Sequence, residues 1–338
     1  MIHWIRLTAI EITGAVLLGC ILFLVFTGGD FMKVLDGANF SIPSSLLSLN
    51  TIFLSILIEA IPFVLIGVLI SGMIQVFVTE DHIRQWIPKN RFMAVLMSCV
   101  IGGLFPACEC GIVPIVRRLV SKGVPVFAGV GFLLTGPIIN PIVIISTYMA
   151  FGNDAKIAGL RMILGFVVAM IVALIISITF RGSQLKQGNM MIPIALTNAS
   201  KPPVSKRIRQ MLEHSIDEFF DMGKYLILGA FFAAFVQTYV SMKSIVDIGD
   251  GVASSSLVMM GIAYLLSLCS EADAFIAASF RNLFPVTSLL AFLVYGPMLD
   301  LKNTIMMLGV FRIRFVLVLI FLITVVVFGS VMVVHTWI

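Results

Sequence analysis

The sequence predicts an all-α polytopic membrane protein: two inverted-topology repeats with interrupted or re-entrant helices, plus one extra N-terminal helix. Three observations predict it: an apolar composition, apolar runs of spanning length, and a polar pattern that occurs twice. Of 338 residues, 60% are hydrophobic and 12% charged, with a mean hydropathy of +1.11. Soluble domains are about half apolar and a quarter charged. That balance excludes a water-soluble enzyme, a coiled coil and a disulfide-stapled secreted domain. The 27 Gly and 13 Pro suit helices with breaks, whose freed backbone groups neighbouring helices can satisfy.

The elements follow in order. An apolar run at about 8–27 is long enough to span and lacks a small-residue cleavage pattern, so it reads as a helix rather than a removed signal. Asp30, Lys33 and Asp36 follow it in a polar stretch. The next runs are 51–78 and 92–106, then a Gly/Pro-interrupted segment reaching Arg117, Arg118 and Lys122. Runs at 124–151, broken at Gly136-Pro137, and at 157–180 complete the first half. After a polar stretch come runs at 216–240, 253–269, 284–299 and 315–335. The expected organisation is 1–50, an extra helix and extracytoplasmic loop; 51–180, a first repeat; 181–213, a cytoplasmic linker with a short helix from Arg207; and 214–338, a second repeat.

The net charge of +5 sits in connections between apolar runs, so it reports orientation and not nucleic-acid binding. Arg84, Lys89 and Arg91 form one basic cluster, and Arg117, Arg118 and Lys122 another. A third spans Arg181 to Arg209, and a fourth holds Lys302, Arg312 and Arg314. All face the cytoplasm together only if 92–121 enters and leaves on one side. With Arg6 also inside, only Lys33, Lys156, Arg161, Lys243 and Arg281 lie outside. The expected protein is a multi-pass component of the cytoplasmic membrane, N-terminus in and C-terminus out.

A fixed shift pairs Glu59 with Asp221, Gly67 with Gly229, Gln75 with Gln237 and Glu109 with Glu271. After a short gap, Gly136-Pro137 and Asn140 pair with Gly296-Pro297 and Asp300. The first half begins outside and the second inside, so the halves are expected to be inverted, as in many secondary transporters.

The segment from Gly102 to Pro114 carries the chemistry. Its Gly and Pro residues argue against a continuous helix. On a helix Cys108 and Cys110 would point about 200° apart; in extended backbone they share a side. Cys269, Glu271 and Asp273 are expected at the equivalent depth of the second half. Cys108, Cys110 and Cys269 are the expected ligands of a soft metal or metalloid, and Glu109, Glu271 and Asp273 the harder ligands or proton carriers. Asn140 and Asp300, after the helix breaks, are expected to line the path. Cys20 and Cys99 read as packing thiols, and a disulfide from Cys269 to Cys108 or Cys110 stays open. Glu59 and Asp221 belong to the path or to opposite surfaces, and the four His read as solvated ends.

The run Pro106-Ala-Cys108-Glu109-Cys110-Gly111-Ile-Val-Pro114, with Gly136-Pro137-Ile-Ile-Asn140-Pro141 downstream, resembles the YraQ/ArsP type of predicted bacterial permease, to which YcgR-like proteins belong. The resemblance covers about 50–335. Members typically carry Cys-Ser-Cys-Gly where this chain has Glu109 in the middle. Better-known members resemble organoarsenical exporters with membrane cysteines, which makes Cys108, Cys110 and Cys269 the implied substrate thiols. Glu109 favours a divalent cation over an uncharged arsenical. The resemblance also implies a partner protein in a two-component system.

The function expected is a permease moving a thiophilic metal or metalloid by alternating access, through lipid, and not an enzyme. The alternatives are a membrane thiol–disulfide carrier and a non-transporting subunit. No cofactor is expected, and no G-x-x-x-x-G-K-[ST] loop is present.

Overall fold

The computed structural model describes residues 44–78, 87–88, 90–105, 108–180, 182–186, 204–240 and 251–337. The helix expected at 8–27 lies outside them, as do most of the 1–50 segment and residues 187–203 of the expected linker. The chain divides into two compact units, Met1–Thr51 and Ile52–Ile338; the described part of the first is the opening of one helix.

Twelve helices occupy the described residues. In order they are α1 Ser44–Phe77, α2 Arg91–Leu104, α3 Glu109–Ser121, α4 Val126–Thr135, α5 Pro141–Ala150 and α6 Ala155–Thr179. Then come α7 Val204–Tyr239, α8 Val252–Leu266, α9 Ser270–Ser279, α10 Val286–Met298, α11 Leu301–Val310 and α12 Ile313–His335. Four helices are apolar and long enough to cross a bilayer: α1, α6, α7 from Lys206 onward, and α12. At 1.5 Å per residue, the 25 residues of α6 reach about 37 Å, more than a hydrocarbon core of about 30 Å. The other eight have 10 to 15 residues, about half a membrane each, and work in pairs.

Hydrogen bonds fix where each pair begins and ends. Arg91 Nη1 at the start of α2 donates to Ser177 O near the end of α6 (3.2 Å). Lys122 Nζ, just past α3, donates to Gln75 O (2.7 Å) and to Val78 O at the end of α1. Arg207 Nη2, in the first turn of α7, donates to Val76 O (3.0 Å). Residues 182–186, just past α6, pair with Phe311 and Arg312 between α11 and α12. These termini share one end of the bundle. At the far end, Arg281 Nη1 beyond α9 donates to Phe151 O before α6 (3.3 Å), and Thr287 Oγ1 in α10 meets His335 Nδ1 in α12 (3.3 Å). Ser288 of α10 bonds Ser255 and Ser256 near the start of α8. Thus α2 and α3 form a hairpin whose outer ends lie at one end of the bundle, and α8 and α9 one whose outer ends lie at the other. α4–α5 and α10–α11 are pairs of short helices, each interrupted by a break.

The order of helix lengths is 34, 14, 13, 10, 10, 25 and then 36, 15, 10, 13, 10, 23. Packing repeats with it. α2 lies on α4 as α8 lies on α10, and α4 on α6 as α10 on α12. Across the middle, α5 packs on α9, α11 on α3, and α6 on α12. Small residues set the closest approaches, as expected without a hydrophobic drive between helices in lipid. A Cβ on Gly67 of α1 would stand 2.3 Å from Gly111 O of α3.

Some expectations fail here. The linker boundary at 213 falls inside α7, which runs unbroken from Val204 because no Pro interrupts it. Of the two expected Gly-Pro breaks, the first falls at Gly136-Pro137, since α4 ends at Thr135 with Gly136 as its C-cap, whereas Gly296 and Pro297 lie inside α10, which breaks only after Met298. Arg118, Arg161 and Lys302 were assigned to aqueous connections but are buried. Each has polar partners in the bundle, which a count of loop charges cannot reveal.

Candidate functional site

Four helices start at the breaks, and the chemistry-bearing residues are their first residues. Cys108 is the N-cap of α3 with extended backbone (φ −77°, ψ 169°), and its carbonyl accepts from Gly111 N and Ile112 N. Glu109 and Cys110 are therefore the first two helical residues. This corrects the expectation of an extended Cys-Glu-Cys strand: the break precedes Cys108, and the helix restarts at once. Cys269 is likewise the extended N-cap of α9 (φ −82°, ψ 157°), placing Glu271 and Asp273 in the first turn. Asn140 caps α5, its side chain accepting from Ile142 N (3.0 Å), with Pro141 in the first turn where its missing N–H costs nothing. Asp300 caps α11 by accepting from Asn303 N.

Helix N-termini carry partial positive charge and free N–H groups, so they favour carboxylates. That places Glu109, Asp273 and Asp300 where a buried acid is least unfavourable. The bases are Lys302, in the first turn of α11, and Arg161 of α6. Lys302 Nζ of α11 lies 3.3 Å from Glu109 Oε1, 3.8 Å from Asp300 Oδ2 and 3.4 Å from Ser267 O. Lys302 is 4% exposed and Glu109 1%. This ion pair joins the α2–α3 hairpin to the α10–α11 pair. Arg161 of α6, also buried, donates from Nη1 to Thr147 Oγ1 (2.6 Å) and from Nη2 to Ser270 O (3.0 Å). It stands within electrostatic reach of Asp273 and Glu271.

The thiols divide. Cys108 and Cys110 stand within electrostatic reach of each other and of Lys302. The extended N-cap turns the Cys108 side chain out of the helical 200° relation. Cys269 instead donates from Sγ to Glu59 Oε1 of α1 (2.5 Å). All four described cysteines, including the packing thiol Cys99, are free. Among the described residues no three His, Cys, Asp or Glu side chains are grouped to hold a metal ion. The structure gathers Cys108, Glu109, Cys110, Asp273 and Asp300 near Lys302, and leaves Cys269 beside Glu59 and Asn140 on its cap.

Sequence reading missed Lys302 and Arg161 as members of this cluster. A signal existed: Arg161 sits inside the 157–180 run, and Lys302 directly follows a break. It also missed a second network at the end shared by α1, α3 and α7. There Arg118 Nη2 pairs with Glu218 Oε2 (2.9 Å), which also accepts from Ser71 Oγ (2.6 Å). Asp221 accepts from Arg117 (2.7 Å) and from Lys224 (2.6 Å).

Comparison with known proteins finds relatives along most of the chain. No solved structure matches the chain. The chain is 53% identical over 291 residues to UPF0718 protein YcgR of Bacillus subtilis, covering 86% of this chain and 98% of the relative. It is 42% identical over 276 residues to a putative two-component membrane permease complex subunit of Streptococcus mutans, covering 82% and 91%. A more distant relative, UPF0718 protein MJ0584 of Methanocaldococcus jannaschii, is 24% identical over 156 residues, covering 46% and 42%. The family model ArsP_1, described as a predicted permease, matches residues 45–336. With that match over most of its length, a helical bundle of membrane-spanning segments and charged helix starts buried at its breaks, the chain belongs to the ArsP_1 predicted permease family.

Proposed function

We propose that this permease moves a thiophilic metal or metalloid species, foremost a soft divalent cation such as zinc or cadmium, by alternating access. Residues 51–180 and 214–338 act as inverted repeats around the buried helix starts. The observation that carries this reading is the pair of hairpins with outer ends at opposite ends of the bundle, each with a Cys at the N-cap of its returning helix. A cation reaching Cys108 and Cys110 meets two thiols and Glu109, a donor set suited to soft divalent ions. Cys269, with Glu59, offers a second thiol–carboxylate pair on the other hairpin. Rocking one hairpin against the other hands the ion from one pair to the next; Glu271 and Asn140 flank that route.

The N-terminus is taken as cytoplasmic and the C-terminus as extracytoplasmic, in the cytoplasmic membrane. The Streptococcus relative is named as a subunit of a two-component permease complex, so a partner protein belongs to the proposal. The test is flux of zinc, cadmium and trivalent antimony in proteoliposomes, with and without Cys108→Ala. Flux in the wild type that the variant loses supports the reading. Flux of none of them, with or without a co-purified partner, contradicts it.

A further inference from the structure

The network shared by α1, α3 and α7 lies between the paired thiols and one end of the bundle. On α3, Arg118 stands about 12 Å beyond Cys110 along the helix axis, at 1.5 Å per residue. That displacement is toward the end holding Arg91, Lys122 and Arg207, taken above as cytoplasmic. Every residue from Cys108 to Val116 is buried, so the approach to Cys110 from that end runs through the layer of Arg117 and Arg118.

Three helices close on this layer. Arg118 Nη2 meets Glu218 Oε2 of α7 (2.9 Å), and Arg118 Nη1 donates to Gln75 Oε1 of α1 (3.2 Å). Ser71 Oγ of α1 donates to the same Glu218 oxygen (2.6 Å). Beside it, Arg117 Nη1 meets Asp221 Oδ2 (2.7 Å). Two consecutive bases of α3 thus pair with two acids one turn apart on α7. The Arg118 and Glu218 side chains are 5% and 2% exposed. A buried ion pair gains little over its hydrated parts, because desolvation offsets the Coulomb attraction. Parting α3 from α7 with entry of water therefore exchanges pairing for hydration at small net cost, which suits a contact with two arrangements.

The contact belongs to one end of the chain's pattern. The shift that pairs Glu109 with Glu271 sets Phe280 against Arg118, Ile56 against Glu218 and Ala233 against Ser71. On the other hairpin Cys269 is only half-buried and its partner Glu59 is exposed, whereas Cys108 and Cys110 are buried.

We propose that the Arg118–Glu218 pair is the cytoplasmic gate of the transport path, closed in this structure, a role that rests on the permease reading above. When α3 parts from α7, Cys110 becomes open to the cytoplasm; when the pair re-forms, access passes to the Cys269 hairpin.

The test is thiol labelling by an impermeant maleimide in oriented membrane vesicles, using full-length protein with Cys110 or Cys269 as its single cysteine. With the pair intact, Cys110 should react slowly from the cytoplasmic side; rapid reaction there overturns the proposal without any gate variant. Glu218→Gln should speed that reaction about tenfold, as expected when a minor open state becomes a substantial one. It should also slow labelling of Cys269 from the opposite side. Exchanging the charges, Arg118→Glu with Glu218→Arg, should restore the slow Cys110 reaction and so separates gating from misfolding. Unchanged Cys110 labelling in Glu218→Gln overturns the proposal, as does faster labelling of both thiols, which marks a loosened bundle. No substrate is needed for this readout. Reciprocal labelling without metal flux supports the gate and refutes the metal reading, while metal flux with unchanged labelling overturns the gate alone.

Discussion

At the residue scale, the central interaction is Lys302 with Glu109 and Asp300. Removing one partner of a buried ion pair leaves the other charge uncompensated, which costs about 3–5 kcal/mol. Lys302→Met is therefore expected to lower thermal stability in detergent by that order. Adding Glu109→Gln should recover part of the loss, because it removes the stranded charge. If the double variant is no more stable than the single one, the pairing is not what holds Lys302. The sequence did not reveal this pair. Counting basic residues orients loops, but Lys302 follows Asp300 in a segment short enough to pass for a connection. Arg161 was misplaced for the same reason. Glu109 and Asp273 were legible, since a carboxyl inside an apolar run demands an explanation.

At the element scale, the breaks were legible and their geometry was not. Gly102, Gly103, Pro106 and Gly111 mark an interruption, yet which side of it is helical depends on tertiary neighbours. Cys108 takes the extended N-cap, and α3 carries Pro114 in its second turn with the helix unbroken. The close approach of α1 and α3 gives a second test. Gly67→Ala would place a methyl group 2.3 Å from Gly111 O, forcing backbone apart at a cost of about 1–3 kcal/mol. Gly223→Ala, where nothing lies within 4 Å of the added carbon, should be neutral or better in the same unfolding assay. Equal behaviour of the two variants would show that the α1–α3 contact is looser than described. The Arg118–Glu218 pair clamps the same hairpin arm to α7, and Arg118→Leu should cost about 3–5 kcal/mol for the reason given for Lys302.

At the scale of the molecule, apolar length led to the right class, a polytopic helical membrane protein, and the helix lengths run in a similar order in the two halves. The hairpins give a topology test. In a cysteine-free background, Lys122→Cys just past α3 should react with an impermeant maleimide only from the cytoplasmic side, and Arg281→Cys only from the other. Labelling of both from one side would contradict the inverted arrangement. Why the three thiols do not already converge has a physical answer in the same frame: Cys269 satisfies itself on Glu59 of α1, and a site used alternately need not be preassembled. The measurement that bears most directly on the account is zinc and cadmium flux in proteoliposomes containing wild type or Cys108→Ala. The account predicts flux in the wild type and its loss in the variant; flux that survives without the Cys108 thiol would contradict it.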